Sequence, residues 1–189
     1  MDPHSAKLSK FLSLILRHKP QVIGLRLDDH GWADVAELID RVNQHGIPIS
    51  QPLLERIVTI GDQQRFAFNA DQSKIRAQQG HTLPVDVELV SETPPPILFH
   101  GTATRFLASI RSQGLVAGDR QHVHLTADEL TAIQVGQRHG RAIVLKIEAQ
   151  AMFRAGHSFF RADNGVWLTK TVPPRYIHFA PQQTTHQSR

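Results

Sequence analysis

The sequence predicts an α+β chain of two lobes, a helical first lobe closed by a hairpin and a strand-rich second lobe. Three observations carry that expectation. Apolar residues repeat at helical spacing before Gly61, the run Thr93-Pro94-Pro95-Pro96 interrupts regular structure, and short apolar runs bounded by turn residues follow it. Consecutive prolines stop helix and sheet pairing alike, so the boundary is placed there, with residues 1–92 as one lobe and 93–189 as the other.

In the first lobe, Leu8, Leu12, Ile15 and Leu16 share one helical face until Pro20 ends the pattern. Val35, Leu38, Ile39 and Val42 predict a second helix, with Gly46 as its stop. Ser50 is a candidate N-cap for a third helix through Leu53, Leu54, Ile57 and Val58. Arg65-Phe66-Ala67-Phe68 and Ser73-Lys74-Ile75-Arg76-Ala77 flank the polar stretch Asn69 to Gln72 and read as a hairpin. Three short helices followed by a hairpin form a winged-helix pattern.

In the second lobe, Ile97-Leu98-Phe99-His100 is expected as a strand delivering Gly101-Thr102 to a turn. Leu107 and Ile110 predict a helix ended by Gly114. His122-Val123-His124-Leu125 alternates as a strand does. Thr126-Ala127-Asp128-Glu129 carries a capping-box signature for a helix reaching about Gly140. Ala142 to Ile147, Phe159-Phe160, Val166-Trp167-Leu168 and Tyr176-Ile177-His178-Phe179 predict further strands, the last two separated by Pro173-Pro174. The polar tail after Pro181 is expected to fray.

Composition bounds the function class. At 40% hydrophobic and 20% charged residues the chain falls in the ordinary globular range, and no apolar run is long enough to span a membrane. There is no charged-then-apolar start of the signal-peptide kind. Cysteine is absent, which excludes disulfides and thiolate metal sites and leads to the expectation of a cytoplasmic protein. Residues 1–90 carry ten Lys/Arg against eleven Asp/Glu, whereas 91–189 carry eleven against six. A mildly basic second half suits an anionic ligand without requiring one.

Phosphate loops, dinucleotide fingerprints, nucleophile elbows and HExxH patterns are missing. His122 and His124 stand two apart, but no further ligands follow, and no metal is expected. What remains is arginine beside histidine in short, unusual contexts. Arg17-His18-Lys19 ends a helix, where cations also favour the helix dipole. Arg65, Arg76 and Arg120 each have a bland reading as exposed strand or loop charges.

The order of the segments changes their meaning. Leu8-Ser9-Lys10-Phe11-Leu12-Ser13, Leu16-Arg17-His18 and Gly31-Trp32 open the series. Arg65-Phe66, Ile75-Arg76-Ala77-Gln78-Gln79-Gly80-His81, His100-Gly101-Thr102, and Arg120 with His122-Val123-His124-Leu125-Thr126 follow. Gly136-Gln137-Arg138-His139-Gly140 and Asn164-Gly165-Val166-Trp167-Leu168-Thr169 complete it. In this order, from about Leu8 to Phe179, the chain resembles the RNA 2′-phosphotransferases of the KptA type, relatives of the fungal tRNA-splicing phosphotransferase.

The resemblance implies an Arg-His-Arg-Arg catalytic set, which maps onto Arg17, His18, Arg65 and Arg120. Arg76 competes for the third role; the family's spacing favours Arg65. Arg17, Arg65, Arg76, His81 and Arg120 are the expected contacts to the RNA phosphate. The second lobe would be similar to ADP-ribosyltransferases, whose split β-sheet binds NAD⁺. There His100, Gly101 and Thr102 match the first NAD⁺-holding strand and His124 the second signature position, with Leu125, Thr126, Arg138 and Val166 as further cofactor-binding candidates. Many ADP-ribosyltransferases carry a glutamate at the third position; here the matching segment, Asn164-Gly165-Val166-Trp167, has no acidic residue. A hydroxyl that such a glutamate would engage is left able to react. The expected partners are RNA bearing an internal 2′-phosphate and NAD⁺ as co-substrate, with the chain acting as a monomer.

The implied reaction has two steps. The RNA 2′-phosphate attacks C1″ of NAD⁺ and expels nicotinamide, giving RNA-2′-phospho-ADP-ribose. The ribose 2″-hydroxyl then attacks the phosphorus, releasing 2′-hydroxyl RNA and ADP-ribose 1″,2″-cyclic phosphate. A nucleophile that is already anionic needs orienting cations rather than a strong base, and guanidinium serves without losing its charge. His18 alone among the four titrates near neutrality, which suits proton transfer. On this expectation the first lobe supplies Arg17, His18 and Arg65, and the second holds NAD⁺ and contributes Arg120. Two other readings compete: an ADP-ribosyltransferase acting on nucleic-acid terminal phosphates, and a winged-helix regulator with a ligand-sensing domain. The slightly acidic first lobe disfavours the regulator, because duplex binding calls for a basic face.

Overall fold

The computed structural model describes residues 2–60 and 64–179; the tail expected to fray lies outside them. The chain divides into two units. The first comprises residues up to Val90 together with Gly118–Gln121 and Ala162–Asn164, and the second comprises the remainder. Arg120, expected from the second lobe, therefore stands in the first unit.

The first unit is built from α1 (Pro3–Arg17), β1 (Ala33–Asp34), α2 (Val35–Gln44), α3 (Gln51–Ile60), β2 (Phe66–Phe68) and β3 (Lys74–Ala77). Asp2 starts α1: its carboxylate accepts from the Ser5 amide at 3.0 Å, and Pro3 at the first helical position needs no amide partner. Leu8, Leu12, Ile15 and Leu16 are all fully buried, as their spacing predicts. Each such burial contributes about 1.5–3 kcal/mol. Pro20 opens a short 3₁₀ turn that Gly24 ends at φ +65°, a conformation glycine adopts without penalty. Asp34 caps α2 by accepting from Glu37 N at 2.8 Å. The hairpin pairs Phe66 with Ala77 and Phe68 with Ile75, and β1, unforeseen in the sequence, adds a third strand in the antiparallel order β1-β3-β2. Leu38, Val42, Leu54, Phe66 and Ile75 close one core with the α1 face.

The second unit runs β4 (Leu98–Ala103), α4 (Leu107–Gln113), β5 (Leu115–Val116), β6 (Val123–Leu125), α5 (Glu129–Gln137) and β7 (Ala142–Ile147), then α6 (Ala149–Arg154), β8 (Phe160–Arg161), β9 (Trp167–Thr169), β10 (Thr171–Val172) and β11 (Ile177–His178). Its antiparallel sheets have the orders β11-β7-β4, β6-β9-β8 and β10-β5. Leu98, Leu145, Ile147, Met152 and Phe159 lie at the centre of its core.

Two expectations are corrected, and one helix was unforeseen. Gly101 and Thr102 are not in a turn: β4 continues through both, with Gly101 opposite Val144 and Thr102 opposite Ile143, because β7 supplies ladder partners along its whole length. The N-cap of α5 is Asp128 rather than Thr126; its carboxylate accepts from Thr131 N at 2.8 Å, and the helix ends at Gln137, short of Gly140. Helix α6 begins straight after β7, where no separate helix is marked in the sequence.

Gly101 has a packing reason to be glycine. A Cβ there would run into the Ala132 carbonyl of α5, and a Cβ at Gly136 would come within 2.7 Å of the Thr102 carbonyl oxygen. The two glycines let α5 lie directly on β4.

Candidate active site

Arg17 is the last residue of α1, and His18 caps the helix, its amide donating to the Leu14 carbonyl at 3.0 Å. Ser9, Ser13 and Arg17 are spaced four apart, which places them on one side of the helix. Ser9 is buried, and its hydroxyl accepts from Arg65 Nη1 at 3.5 Å, the outer limit for such a bond. Arg65 stands at the mouth of the hairpin, where its carbonyl accepts from Gln78 N at 3.0 Å. Helix α1 and the hairpin thus bring two arginines together from 48 residues apart in the chain.

The Arg17 guanidinium is largely buried. Its Nε and Nη2 atoms are shielded from solvent and have no hydrogen-bond partner. Burial, followed by the charges of Arg65 and Arg120, lowers its pKa to about 10. Among the described residues no carboxylate lies within ion-pair distance of it. A desolvated guanidinium without a counter-charge is costly to the fold, and an anion relieves the cost.

His18 shares a 3.1 Å hydrogen bond with Thr82, between Nδ1 and Oγ1. Its pKa lies below the usual histidine value, from burial first and then the charges of Arg17, Arg120 and Lys19. His81 is buried and neutral. Desolvation, with the charges of Arg17, His18 and Arg76, lowers its pKa to about 4, and its Nε2 is buried without a partner.

Arg76 is engaged elsewhere. Its guanidinium lies over the Trp32 ring, 4.4 Å from the centroid, and Nη1 stands 3.5 Å from Glu88 Oε2. That approach is a charge contact without hydrogen-bond geometry, since Nη1 has no hydrogen-bond partner. Arg65 and Arg120 bear on Arg17, whereas Arg76 bears on His81.

In the second unit, His100 on β4 meets β6: its Nδ1 lies 2.9 Å from the His124 carbonyl. Only a protonated nitrogen can donate to a carbonyl, so Nδ1 carries the hydrogen. Burial holds the ring neutral, with a further push from His139, and Nε2 is then an acceptor. Phe99 and Thr126 exchange both backbone hydrogen bonds, at 2.7 and 2.9 Å, which joins the β4 and β6 sheets beside His100. Thr102 and Leu125 are buried; Val166 is half-buried just before β9; Arg138 is exposed at the end of α5. His139 rather than Arg138 influences His100. His122 sets its ring edge-on to Phe160 and lies outside β6. Among the described residues no group of three or more His, Asp or Glu is placed to hold a metal ion.

Two contributors have no mark in the one-dimensional pattern, and a third has only a spacing. Thr82 and Gln121 reach this region through loops, where no periodicity exists to select them. Ser9 could have been found from its four-residue spacing to Ser13 and Arg17.

A family model described as RNA 2'-phosphotransferase, Tpt1 / KptA family, matches residues 3–171. A probable RNA 2'-phosphotransferase of Acaryochloris marina is 50% identical over 177 residues, covering 94% of this chain and 98% of the relative. One from Agrobacterium fabrum is 49% identical over 185 residues, covering 98% and 100%. A third, from Pectobacterium carotovorum, is 51% identical over 177 residues, covering 93% and 95%. With its arginine–histidine blocks inside a match of this extent, the chain belongs to the RNA 2'-phosphotransferase, Tpt1 / KptA family.

Proposed function

We propose that this enzyme removes an internal 2′-phosphate from RNA with NAD⁺ as the acceptor, through an RNA-2′-phospho-ADP-ribose intermediate. The observation that carries the reading is the Arg17 guanidinium, with Nε and Nη2 buried and unpartnered and two further arginine charges bearing on it. Those donors suit a dianionic phosphate, and a planar guanidinium can hold two of its oxygens at once. Arg65 fills the third place of the Arg-His-Arg-Arg set on this reading, because its charge acts on Arg17 while Arg76 is committed to Trp32 and Glu88.

The second unit suits a nucleotide. Neutral His100, with Nδ1 committed to a backbone carbonyl, presents Nε2 as an acceptor for a ribose hydroxyl. Thr102, His124, Leu125, Thr126 and Val166 complete the proposed NAD⁺-holding set, with Arg138 toward its edge. Gly101 serves this set indirectly, by letting α5 lie close on β4. When bound, NAD⁺ supplies an electrophilic anomeric carbon and then a 2″-hydroxyl. Arg17, Arg65 and Arg120 orient the phosphate oxygens and stabilise charge on the phosphoryl group in transit. His18 takes the proton from the attacking hydroxyl, or returns one to the departing RNA 2′-oxygen.

The first unit's three helices and hairpin, with β1 joining as a third strand, support a winged-helix reading. Two three-stranded sheets bridged at Phe99 and Thr126 support an ADP-ribosyltransferase-like second unit. No helix among the described residues is long and apolar enough to cross a membrane.

The test is incubation with NAD⁺ and an oligoribonucleotide bearing one internal 2′-phosphate. Stoichiometric nicotinamide and 2′-hydroxyl RNA are expected. Retention of the 2′-phosphate overturns the reading. ADP-ribosylation of a control carrying only a terminal phosphate, without 2′-dephosphorylation, would replace it with terminal transfer.

A further inference from the structure

Arg120 lies in Gly118–Gln121, a segment that falls within the sequence of the second unit yet belongs to the first. The segment has no helix or strand, and Arg120 itself is exposed. Regular structure therefore does not hold this segment, and the hydrogen bonds of its neighbour Gln121 fasten it. The Gln121 amide nitrogen donates to the His81 carbonyl at 3.2 Å. Its side-chain Nε2 donates to two more carbonyls, Leu83 at 2.7 Å and Val85 at 3.0 Å. Both side-chain hydrogens are used, and all three acceptors belong to one irregular stretch after the hairpin.

That same stretch is tied to the end of α1. Thr82 N donates to the Arg17 carbonyl at 3.0 Å, and the Thr82 hydroxyl bonds His18. Hydrogen bonds and the adjoining backbone thus connect Arg17 and His18, through Thr82 and its neighbours, to Gln121, the residue after Arg120.

We propose that Gln121 is a positioning residue: its carboxamide pins the Arg120 loop to residues 81–85, the strip that also holds Arg17 and His18, and so sets the third guanidinium in register with the first. This rests on the reading that Arg120 engages the substrate phosphate. Side-chain chemistry supports a narrow requirement. Only a donor pair at glutamine's reach serves two carbonyls here. Methionine matches the length without any donor, and glutamate sets oxygen against oxygen.

The experiment is a double-mutant cycle in single-turnover reactions with NAD⁺ and the internally 2′-phosphorylated oligoribonucleotide. It compares the wild type, Gln121→Met, Arg120→Ala and the double variant, with thermal unfolding of each. Gln121→Met is expected to slow the reaction by about 10- to 100-fold, as a misplacement near 1 Å does. In the Arg120→Ala background it should cause no further slowing, because the group it positions is gone. Equal slowing in both backgrounds marks a general structural role and overturns the proposal, as does an unchanged rate for Gln121→Met. If Gln121→Met does not fold, Gln121→Glu takes its place with the same expectation. An unaffected Arg120→Ala rate would instead refute the reading of Arg120, a result distinct from additivity.

Discussion

The carbonyl of Arg17 accepts the amide proton of Thr82 at 3.0 Å. The end of α1 is therefore held from two directions, by its own helix and by the chain that returns after the hairpin. That bond fixes the backbone from which the Arg17 guanidinium projects, into surroundings where burial and like charge disfavour it. Such a preorganised cation is useful to a reaction that concentrates negative charge, and costly to the resting fold.

Arg17→Met should separate these two effects. Activity on a 2′-phosphorylated oligonucleotide is expected to fall by about 10²- to 10³-fold, the usual loss for one preorganised donor. Thermal stability without ligand is expected to rise, by on the order of 1 kcal/mol, since a buried cation with a depressed pKa is removed. Inorganic phosphate should raise the unfolding midpoint of the wild type and leave that of the variant unmoved. A variant less stable than the wild type would contradict the account.

Arg65 and Arg76 can be told apart by substitution. Arg65→Ala is expected to slow turnover by about 10²-fold or more. Arg76→Ala should mainly lower the free energy of unfolding, by about 1–2 kcal/mol, through loss of the Trp32 stack and the Glu88 contact. The reverse pattern in rate and stability would exchange their roles.

For His18, the depressed pKa places its protonation below 6.5 in the folded protein. If its neutral form accepts the 2″-hydroxyl proton, the rate should fall only as pH drops below that value. His18→Ala should be about 10²- to 10⁴-fold slower and lack this acidic limb. The second chemical step should suffer more than the first, measured as build-up of the ADP-ribosylated RNA. Equal slowing of both steps would remove the proton-transfer role.

His81 links stability to pH. Its folded-state pKa of about 4 lies below the unfolded value, so the unfolded chain binds its proton first as pH falls. Stability is complete above about 6.5 and is lost progressively toward 4, by up to about 3 kcal/mol. His81→Gln should flatten urea-unfolding stability across that window. Parallel curves for variant and wild type would show that His81 is not the group responsible.

Gly101→Ala should prevent stable folding of the second unit, a loss above about 3 kcal/mol, because the new methyl meets the backbone of α5. Gly118→Ala is the informative contrast. A Cβ there meets nothing within 4 Å, and only its φ of +62° opposes substitution, at about 1 kcal/mol. Circular dichroism melts of the two proteins should differ widely.

Periodicity made the first unit's helices legible, because Leu8, Leu12, Ile15 and Leu16 must share a face if they share a core. The hairpin was legible from polar residues between two apolar runs. The long pairing of β4 with β7 was not, since a strand's length depends on a partner 39 to 49 residues away (Ala103 opposite Ala142, Leu98 opposite Ile147). The capping signature at Thr126 misled for a local reason. Asp128, two residues later, offers the better placed carboxylate, while the Thr126 hydroxyl accepts from the Asp128 amide at 3.1 Å.

The sequence by itself determined the family, the candidate arginines with their histidine, and most of the elements that carry them, since these depend on residue identity and short spacings. Tertiary structure alone decided which unit holds Arg120, that Arg65 rather than Arg76 bears on Arg17, and that Arg17 Nε and Nη2 are buried without a partner. The reason is physical: electrostatic coupling and desolvation depend on distances through space. Helix α1 and the hairpin bring Arg17 and Arg65 together, and Arg120 comes on a loop that no periodicity describes, fastened through Gln121 to the strip that also holds the end of α1.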